Sequence, residues 1–206
     1  MVNIVIVDYG MGNLRSVFNK FKRMGVDCIV TSKREEIKKA NKLILPGVGH
    51  FKYAMQNLHE LELIEIISRK VIGEKTPILG ICLGTQLFAK YSEEGDCKGF
   101  GWIDAEVIKF KVSNKLRFKV PHMGWNNVSV KKNANRLDKI IKEDDQFYFV
   151  HSYHLKCNNP SDVWMTSDYN YEFVSAVNRE NIYGTQFHPE KSHDAGFELL
   201  KSFVAL

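Results

Sequence analysis

Apolar residues stand in short blocks along the first half of the chain, Ile4-Val5-Ile6-Val7, Leu43-Ile44-Leu45 and Ile78-Leu79-Gly80-Ile81, bounded by polar residues, proline or, after Ile81, Cys82. Short runs without polar alternation mark strands covered on both faces, the habit of parallel sheets. The pattern predicts strands at Asn3 to Asp8, Cys28 to Thr31, Lys42 to Leu45 and Ile78 to Ile81. Between them the period lengthens. Val17, Phe21 and Met24 share one face of a helix from Leu14 to Met24 that Asn13 can cap, and similar stripes mark Leu58 to Ile72, Leu83 to Tyr91 and Phe197 to Phe203. The second half is richer in strands: Ala105 to Lys111, Asn127 to Lys131, Gln146 to Val150, Trp164 to Ser167, Val174 to Asn178 and Ile182 to Gln186. Strands alternating with helices imply an α/β class, doubly wound, with a largely parallel central sheet flanked by helices and extra antiparallel strands from the second half.

The chain's 206 residues, 44% of them hydrophobic, suit one domain over 1–206 with a sizeable core and no linker. A net charge of +5 is modest. The densest basic stretch, Lys109, Lys111, Lys115, Arg117 and Lys119, alternates with apolar residues as a solvated sheet face would, so a nucleic-acid partner is not expected. The mixed charges of Lys131 to Asp145 read as a solvated helix and loop. Cys28, Cys82, Cys97 and Cys157 form no CxxC pair and have no close histidine, which argues against a zinc site or a disulfide framework, and no metal is expected. Gly10-Met11-Gly12 lacks the third glycine of a dinucleotide loop, whose place Arg15 takes, so no cofactor is expected either. The start Met1 to Val7 lacks the basic flank of a signal peptide, and no run approaches the roughly 18 apolar residues of a membrane span. A soluble cytoplasmic protein without a membrane partner is the expectation.

One of the four cysteines has a different setting. Gly80-Ile81-Cys82-Leu83-Gly84 places Cys82 on the turn from a buried strand into a helix, a nucleophile elbow carrying sulfur. Such a turn strains the nucleophile's backbone, and side chains at Gly80 or Gly84 would crowd it. A helix N-terminus favours thiolate, and the amide of Leu83 is placed to receive an oxyanion. Phe187-His188-Pro189-Glu190-Lys191 supplies the complement: Pro189 biases His188 toward extended geometry, so that His188 and Glu190 lie at i and i+2 on one side. A carboxylate orienting a histidine that faces a cysteine is the logic of nucleophilic acyl transfer. Alone, a cysteine is often a small buried hydrophobe and a histidine a structural group. Together each motif supplies what the other lacks.

These motifs, with Asp8-Tyr9-Gly10-Met11-Gly12-Asn13-Leu14, Leu45-Pro46-Gly47-Val48-Gly49, Gly80 to Gln86, Pro121-His122-Met123-Gly124-Trp125-Asn126, Tyr148-Phe149-Val150-His151-Ser152-Tyr153 and Phe187 to Ser192, resemble the class I, triad-type glutamine amidotransferases, most closely their imidazole glycerol phosphate synthase branch, nearly end to end. The resemblance implies the family's three-layer fold, a catalytic triad of Cys82, His188 and Glu190, and release of ammonia from glutamine through a glutamyl thioester. It also implies glutamine held by Gln86 and Glu94 with the backbone of His151, Ser152 and Tyr153, and oxyanion donors at Leu83 and Val48. Two glycines around Val48 make a peptide flip there physically plausible, although an ordinary strand-ending turn is the plain alternative.

Nothing in the chain is left over to consume ammonia, so the resemblance implies a partner, a (β/α)₈ cyclase subunit in a heterodimer. It makes imidazole glycerol phosphate and an aminoimidazole carboxamide ribonucleotide in histidine biosynthesis. Asn13, Trp125, Tyr148 and Lys191 match interface residues, although Trp125 and Tyr148 could equally be core aromatics. Without that partner the chain is expected to be nearly inactive, with its oxyanion hole completed when the partner favours a flip at Gly47-Val48. Gly99 to Asp104 and Ser192 to Phe197 look more like paralogues that feed ammonia to sugar amidotransferases for surface polysaccharides. Two readings of other classes remain: a cysteine peptidase, disfavoured by the small polar pocket that Gln86 and Glu94 imply, and a non-catalytic binding subunit, disfavoured by the intact triad.

Overall fold

The computed structural model describes residues 3–114, 116–132, 137, 141–142 and 144–206. In chain order the elements are β1 (Ile4–Val7), α1 (Leu14–Arg23), β2 (Cys28–Thr31), α2 (Arg34–Lys38), β3 (Lys42–Gly47), α3 (Phe51–Glu60), α4 (Leu63–Ser68), β4 (Ile78–Cys82) and α5 (Leu83–Gln86). Then follow β5 (Tyr91–Ser92), β6 (Cys97–Lys98), β7 (Ala105–Lys109), β8 (His122–Asn127), β9 (Ser129–Val130), β10 (Gln146–His151) and β11 (Tyr153–Cys157). The chain ends with β12 (Val163–Asp168), β13 (Glu172–Arg179), β14 (Ile182–Thr185) and α6 (His193–Val204).

The main sheet runs β2-β1-β3-β4-β14-β13-β11-β7-β5-β6, with β12 and β9 joined beside β13. Its first five strands are parallel, and β13, β11 and β7 add antiparallel pairs. A separate antiparallel ribbon pairs β8 with β10. The unbroken apolar blocks have the expected cause: β1 is buried on both faces. Val5 and Val7 join the core under α2, α3 and α4, whereas Ile4 and Ile6 join the core under α1 and α6. No helix among the described residues is long and apolar enough to cross a membrane.

Several sequence expectations need correction. The stripe from Leu58 to Ile72 serves two helices, because Glu62 takes a left-handed φ of 54° between α3 and α4 and a π-helical turn follows at Arg69–Gly73. The helix predicted to reach Tyr91 ends at Gln86, since Tyr91–Ser92 leaves to pair with β6 and β7. Strand β7 stops at Lys109, where Phe110 turns inward onto His151, His154 and Phe173, so most of the basic stretch lies off the sheet. Lys115 and much of Lys131 to Asp145 lie outside the described residues. The strand expected at Asn127 to Lys131 is the end of β8 plus the short β9, while β11 and α2 carried too little periodicity to be foreseen. Helix α6 is longer than its predicted Phe197 to Phe203.

Candidate active site

Three adjacent parallel strands, β3, β4 and β14, end side by side, with Gly47 opposite Cys82 and Ile81 opposite Thr185. Cys82 is the last residue of β4, and the segments leaving β3 and β14 hold Val48 and His188. Ligands in open α/β sheets bind at these carboxyl ends.

Cys82 has φ 54° and ψ −111°, a left-handed conformation for a residue bearing Cβ, which costs roughly 1–3 kcal/mol and is held by its surroundings. The clearance for it comes from bare glycines. A Cβ on Gly84 would stand 1.7 Å from the Leu45 carbonyl oxygen, and one on Gly80 would stand 2.7 Å from the Phe88 ring. Thr85 Oγ1 donates to the Thr185 carbonyl at 2.8 Å, fastening α5 to the strand that leads to His188. With only four residues, α5 offers the sulfur less dipole than a full helix would.

His188 and Glu190 meet as expected, by a different route. Pro189–Lys191 is a 3₁₀ turn, not an extended segment, because Pro189 fits its first position and Lys191 N donates to His188 O at 3.0 Å. Ser192 Oγ, which donates to His188 O at 2.6 Å and accepts from Tyr148 N at 3.0 Å, locks the turn to β10. The imidazole Nδ1 donates to Glu190 Oε1 at 2.8 Å, with both side chains buried. Nε2 is thereby left as the proton-accepting atom, and among the described residues it has no hydrogen-bond partner. Burial alone would push His188 down, but the Cys82 sulfur and the Glu190 carboxylate outweigh it and raise its pKa well above the usual histidine value. The Cys82 thiol donates to Val150 O at 3.8 Å. The other thiols are held protonated, Cys157 at about 12 and Cys28 at about 11, chiefly by burial and then by nearby aspartates.

A cavity of about 220 Å³ opens beside Cys82, bordered by Val48, Gln86, Glu94, His151, Ser152 and Tyr153 among others. It is smaller than the roughly 300–1,000 Å³ of drug-sized sites, which suits one small polar molecule better than a peptide chain. A larger hollow of about 590 Å³ near Arg34 and His59 lacks a nucleophile beside a base. Gln86 Nε2 donates to Tyr153 O and to Gln186 Oε1, both at 2.9 Å, so its own Oε1 is left as a hydrogen-bond acceptor. Glu94 Oε2 accepts from Phe51 N at 2.8 Å. His151 turns its ring away from this work: Nδ1 donates to Tyr153 O at 2.8 Å, so Nε2 accepts from His122 Nδ1 at 3.0 Å. Burial holds His122 at about 4 and His151 well below its ordinary value, so both stay neutral.

Val48 is 47% exposed and Leu83 is buried, and Gly49 beyond Val48 has φ 124°. The outer face of the β8–β10 ribbon carries Met123, Trp125 and Tyr148, with Trp125 opposite Tyr148 and Lys191 Nζ 5.6 Å above the Tyr148 ring. Trp125 is 43% exposed and stacks on His193, with ring centroids 4.8 Å apart. Asn13 caps α1, accepting from Ser16 N at 3.2 Å, and Lys20 of that helix donates to His193 O at 2.9 Å. Among the described residues, no group of three His, Cys, Asp or Glu could hold a metal ion. Sequence reasoning missed Gln186 and the His122–His151 pair. Gln186 had a signal: it lies two residues before His188 at a strand end, on the same side by strand periodicity.

The sequence profile of the glutamine amidotransferase class-I family matches residues 5–205. The imidazole glycerol phosphate synthase subunit HisH 2 of Methanococcus maripaludis is 53% identical over 203 residues, 98% of each chain. Pseudomonas aeruginosa has a protein of the same name that is 44% identical over 98% of this chain and 99% of its own. The fold is shared with a solved structure of PurLQS from Thermotoga maritima, which superimposes with a TM-score of 0.73 at 15% identity, covering 98% of this chain and 97% of that one. With a strained cysteine elbow beside a histidine–glutamate pair at the carboxyl ends of neighbouring central strands, and relatives matched nearly end to end, the chain belongs to the class-I glutamine amidotransferase family.

Proposed function

We propose that this chain, as a single domain over residues 1–206, is the glutaminase subunit of an imidazole glycerol phosphate synthase, acting in the cytoplasm with a (β/α)₈ cyclase subunit. The observation that carries the chemistry is the buried Cys82, His188 and Glu190 grouping beside the Gln86-lined cavity. Glutamine places its ammonium at Gln86 Oε1 and Glu94, and its amide carbon at Cys82. As Sγ attacks, the thiol proton passes to His188 Nε2, and the oxyanion is received by the Leu83 and Val48 amides. The imidazolium then protonates the nitrogen as the C–N bond breaks, leaving a glutamyl thioester and ammonia. Water, deprotonated by the same Nε2, attacks the thioester carbon; the C–S bond breaks, the proton returns to sulfur, and glutamate leaves. Glu190 keeps Nδ1–H engaged throughout, so the imidazole cannot rotate.

The exposure of Val48 between Gly47 and Gly49 supports a reorientation of that peptide on activation by a partner seated on Asn13, Trp125, Tyr148 and Lys191. Glutamate release should be slow for the chain alone and strongly stimulated by the cyclase subunit with its ribonucleotide, and it should be abolished by Cys82→Ala. Full activity in the isolated chain would overturn the activation step. One observation favours a second reading: His193, in the segment that departs from the commonest histidine-pathway sequences, stacks on Trp125 at the partner-facing rim. A chain that ignores the cyclase and responds to a sugar amidotransferase would establish that paralogue.

A further inference from the structure

Gln186 is 1% exposed and follows β14 directly. Its amide orientation is dictated by a backbone carbonyl. Tyr153 O can only accept, so the group of Gln86 facing it is Nε2; Gln86 Nε2 then needs an acceptor from Gln186, which must present Oε1. The remaining end of Gln186 is therefore the NH₂ group, and it lies 3.6 Å from Cys82 Sγ. Flipping Gln186 would set two donors against each other, and flipping Gln86 as well would set two acceptors against each other at Tyr153. The donor at the sulfur is thus built into the fold through a chain of two glutamines.

We propose that Gln186 is a catalytic residue of the thiol centre, one whose amide N–H, aimed through Gln86 by the Tyr153 carbonyl, stabilises the Cys82 thiolate once the proton has moved to His188. This rests on Cys82 being the nucleophile, as proposed above. A neutral donor complements His188: it remains in place in every protonation state of the imidazole. It also links the sulfur to Gln86, the residue that receives the ammonium of glutamine. Hydrogen bonds to an ion shift its equilibrium by about 10–100-fold. A stabilised thiolate is correspondingly a weaker nucleophile, with rate following basicity by a Brønsted slope of about 0.4–0.5.

The test is alkylation of the full chain by chloroacetamide between pH 5 and 10, with the site read by peptide mass and without any turnover. Gln186→Leu removes the donor, and Gln186→Glu keeps an acceptor for Gln86 while turning an oxygen toward the sulfur. In both variants the pH midpoint of Cys82 alkylation should rise by at least about one unit, more for Gln186→Glu, with a rate at pH 7 lower by about threefold or more once the gain in thiolate nucleophilicity is counted. The plateau rate at high pH should equal or exceed that of the parent chain, a signature that loosened packing would not produce. Unmoved midpoints in variants with the parent melting temperature would overturn the role of Gln186. Should either variant unfold, His188→Ala answers the same question: with Gln186 as the only side-chain donor left at the sulfur, the midpoint should stay near that of an ordinary cysteine, whereas a midpoint pushed far up, as burial does at Cys157, would overturn it. Failure of the parent chain to alkylate at Cys82 would instead sink the nucleophile assignment.

Discussion

Gly84→Ala is the substitution on which the architecture of the elbow makes its strongest demand. The added methyl would meet the Leu45 carbonyl oxygen at 1.7 Å and the Leu45 carbonyl carbon at 2.8 Å. Ordinary carbon-to-oxygen contacts lie at about 3.3–3.6 Å, so a gap of roughly 1.6–1.9 Å has to open between α5 and β3. Neither side yields easily: Leu45 pairs with Gly80 of β4 in a strand held between β1 and β4, and α5 is tied by Thr85 to β14. Overpacking of this kind costs about 1–3 kcal/mol, and a clash with backbone belongs at the upper end, which corresponds to about 6–12 °C in melting temperature for a chain of this size. The same gap separates Cys82 and the Leu83 amide from Gly47 and Val48. Misplacement by about 1 Å can cost about 100-fold in rate. The assay is thermal unfolding together with the rate of Cys82 labelling by a chloroketone analogue of glutamine. Gly25→Ala is the control: φ is 70° there and nothing lies within 4 Å of the new methyl, so only the left-handed strain of about 1–2 kcal/mol applies and labelling should be unchanged. If Gly84→Ala is no less stable than Gly25→Ala and labels at the parent rate, the steric reasoning is wrong.

Glu190→Gln should lower glutamine hydrolysis by about 10²–10⁴-fold and move the histidine limb of the pH profile downward, because the carboxylate that helps raise the His188 pKa is gone; an unchanged profile would count against the triad. Acid stability should reveal His122: its pKa falls from 6.5 to about 4 on folding, so the unfolded chain takes up a proton that the folded chain refuses, and stability is lost as pH falls through that window by up to about 1.4 kcal/mol per pH unit. His188 has the opposite sign, stabilising the fold below its ordinary value and losing that contribution as pH rises. His122→Asn should therefore flatten the melting-temperature curve between pH 6.5 and 4, and curves parallel to the parent's would refute the assignment. Trp125→Ala should weaken cyclase binding by about 2 kcal/mol, roughly 30-fold, in a titration of the two subunits, while chloroketone labelling of Cys82 stays unchanged.

The sequence by itself determined what depends on neighbours in the chain. Uninterrupted apolar blocks such as Ile4 to Val7 announced strands buried on both faces, and a cysteine between glycines at a strand end announced a strained elbow, now visible as φ 54° at Cys82. Pairing of His188 with Glu190 was also legible because the two stand within a single turn of chain, even though the turn proved to be 3₁₀. Relations across long separations were decided only by the tertiary structure. Gln186 reaches Cys82 across 104 positions, and His122 reaches His151 across 29; strand periodicity could set Gln186 on the side of His188, but neither pairing is marked in the local sequence. Helix ends behaved likewise: an apolar stripe shows which residues face a core, but the break at Glu62 and the early end of α5 depend on where a neighbouring strand or helix needs space. Periodicity is a property of one element against a core. Which donor meets which acceptor is a property of the packed whole, because each buried polar group must find its partner among groups that distant segments bring to it.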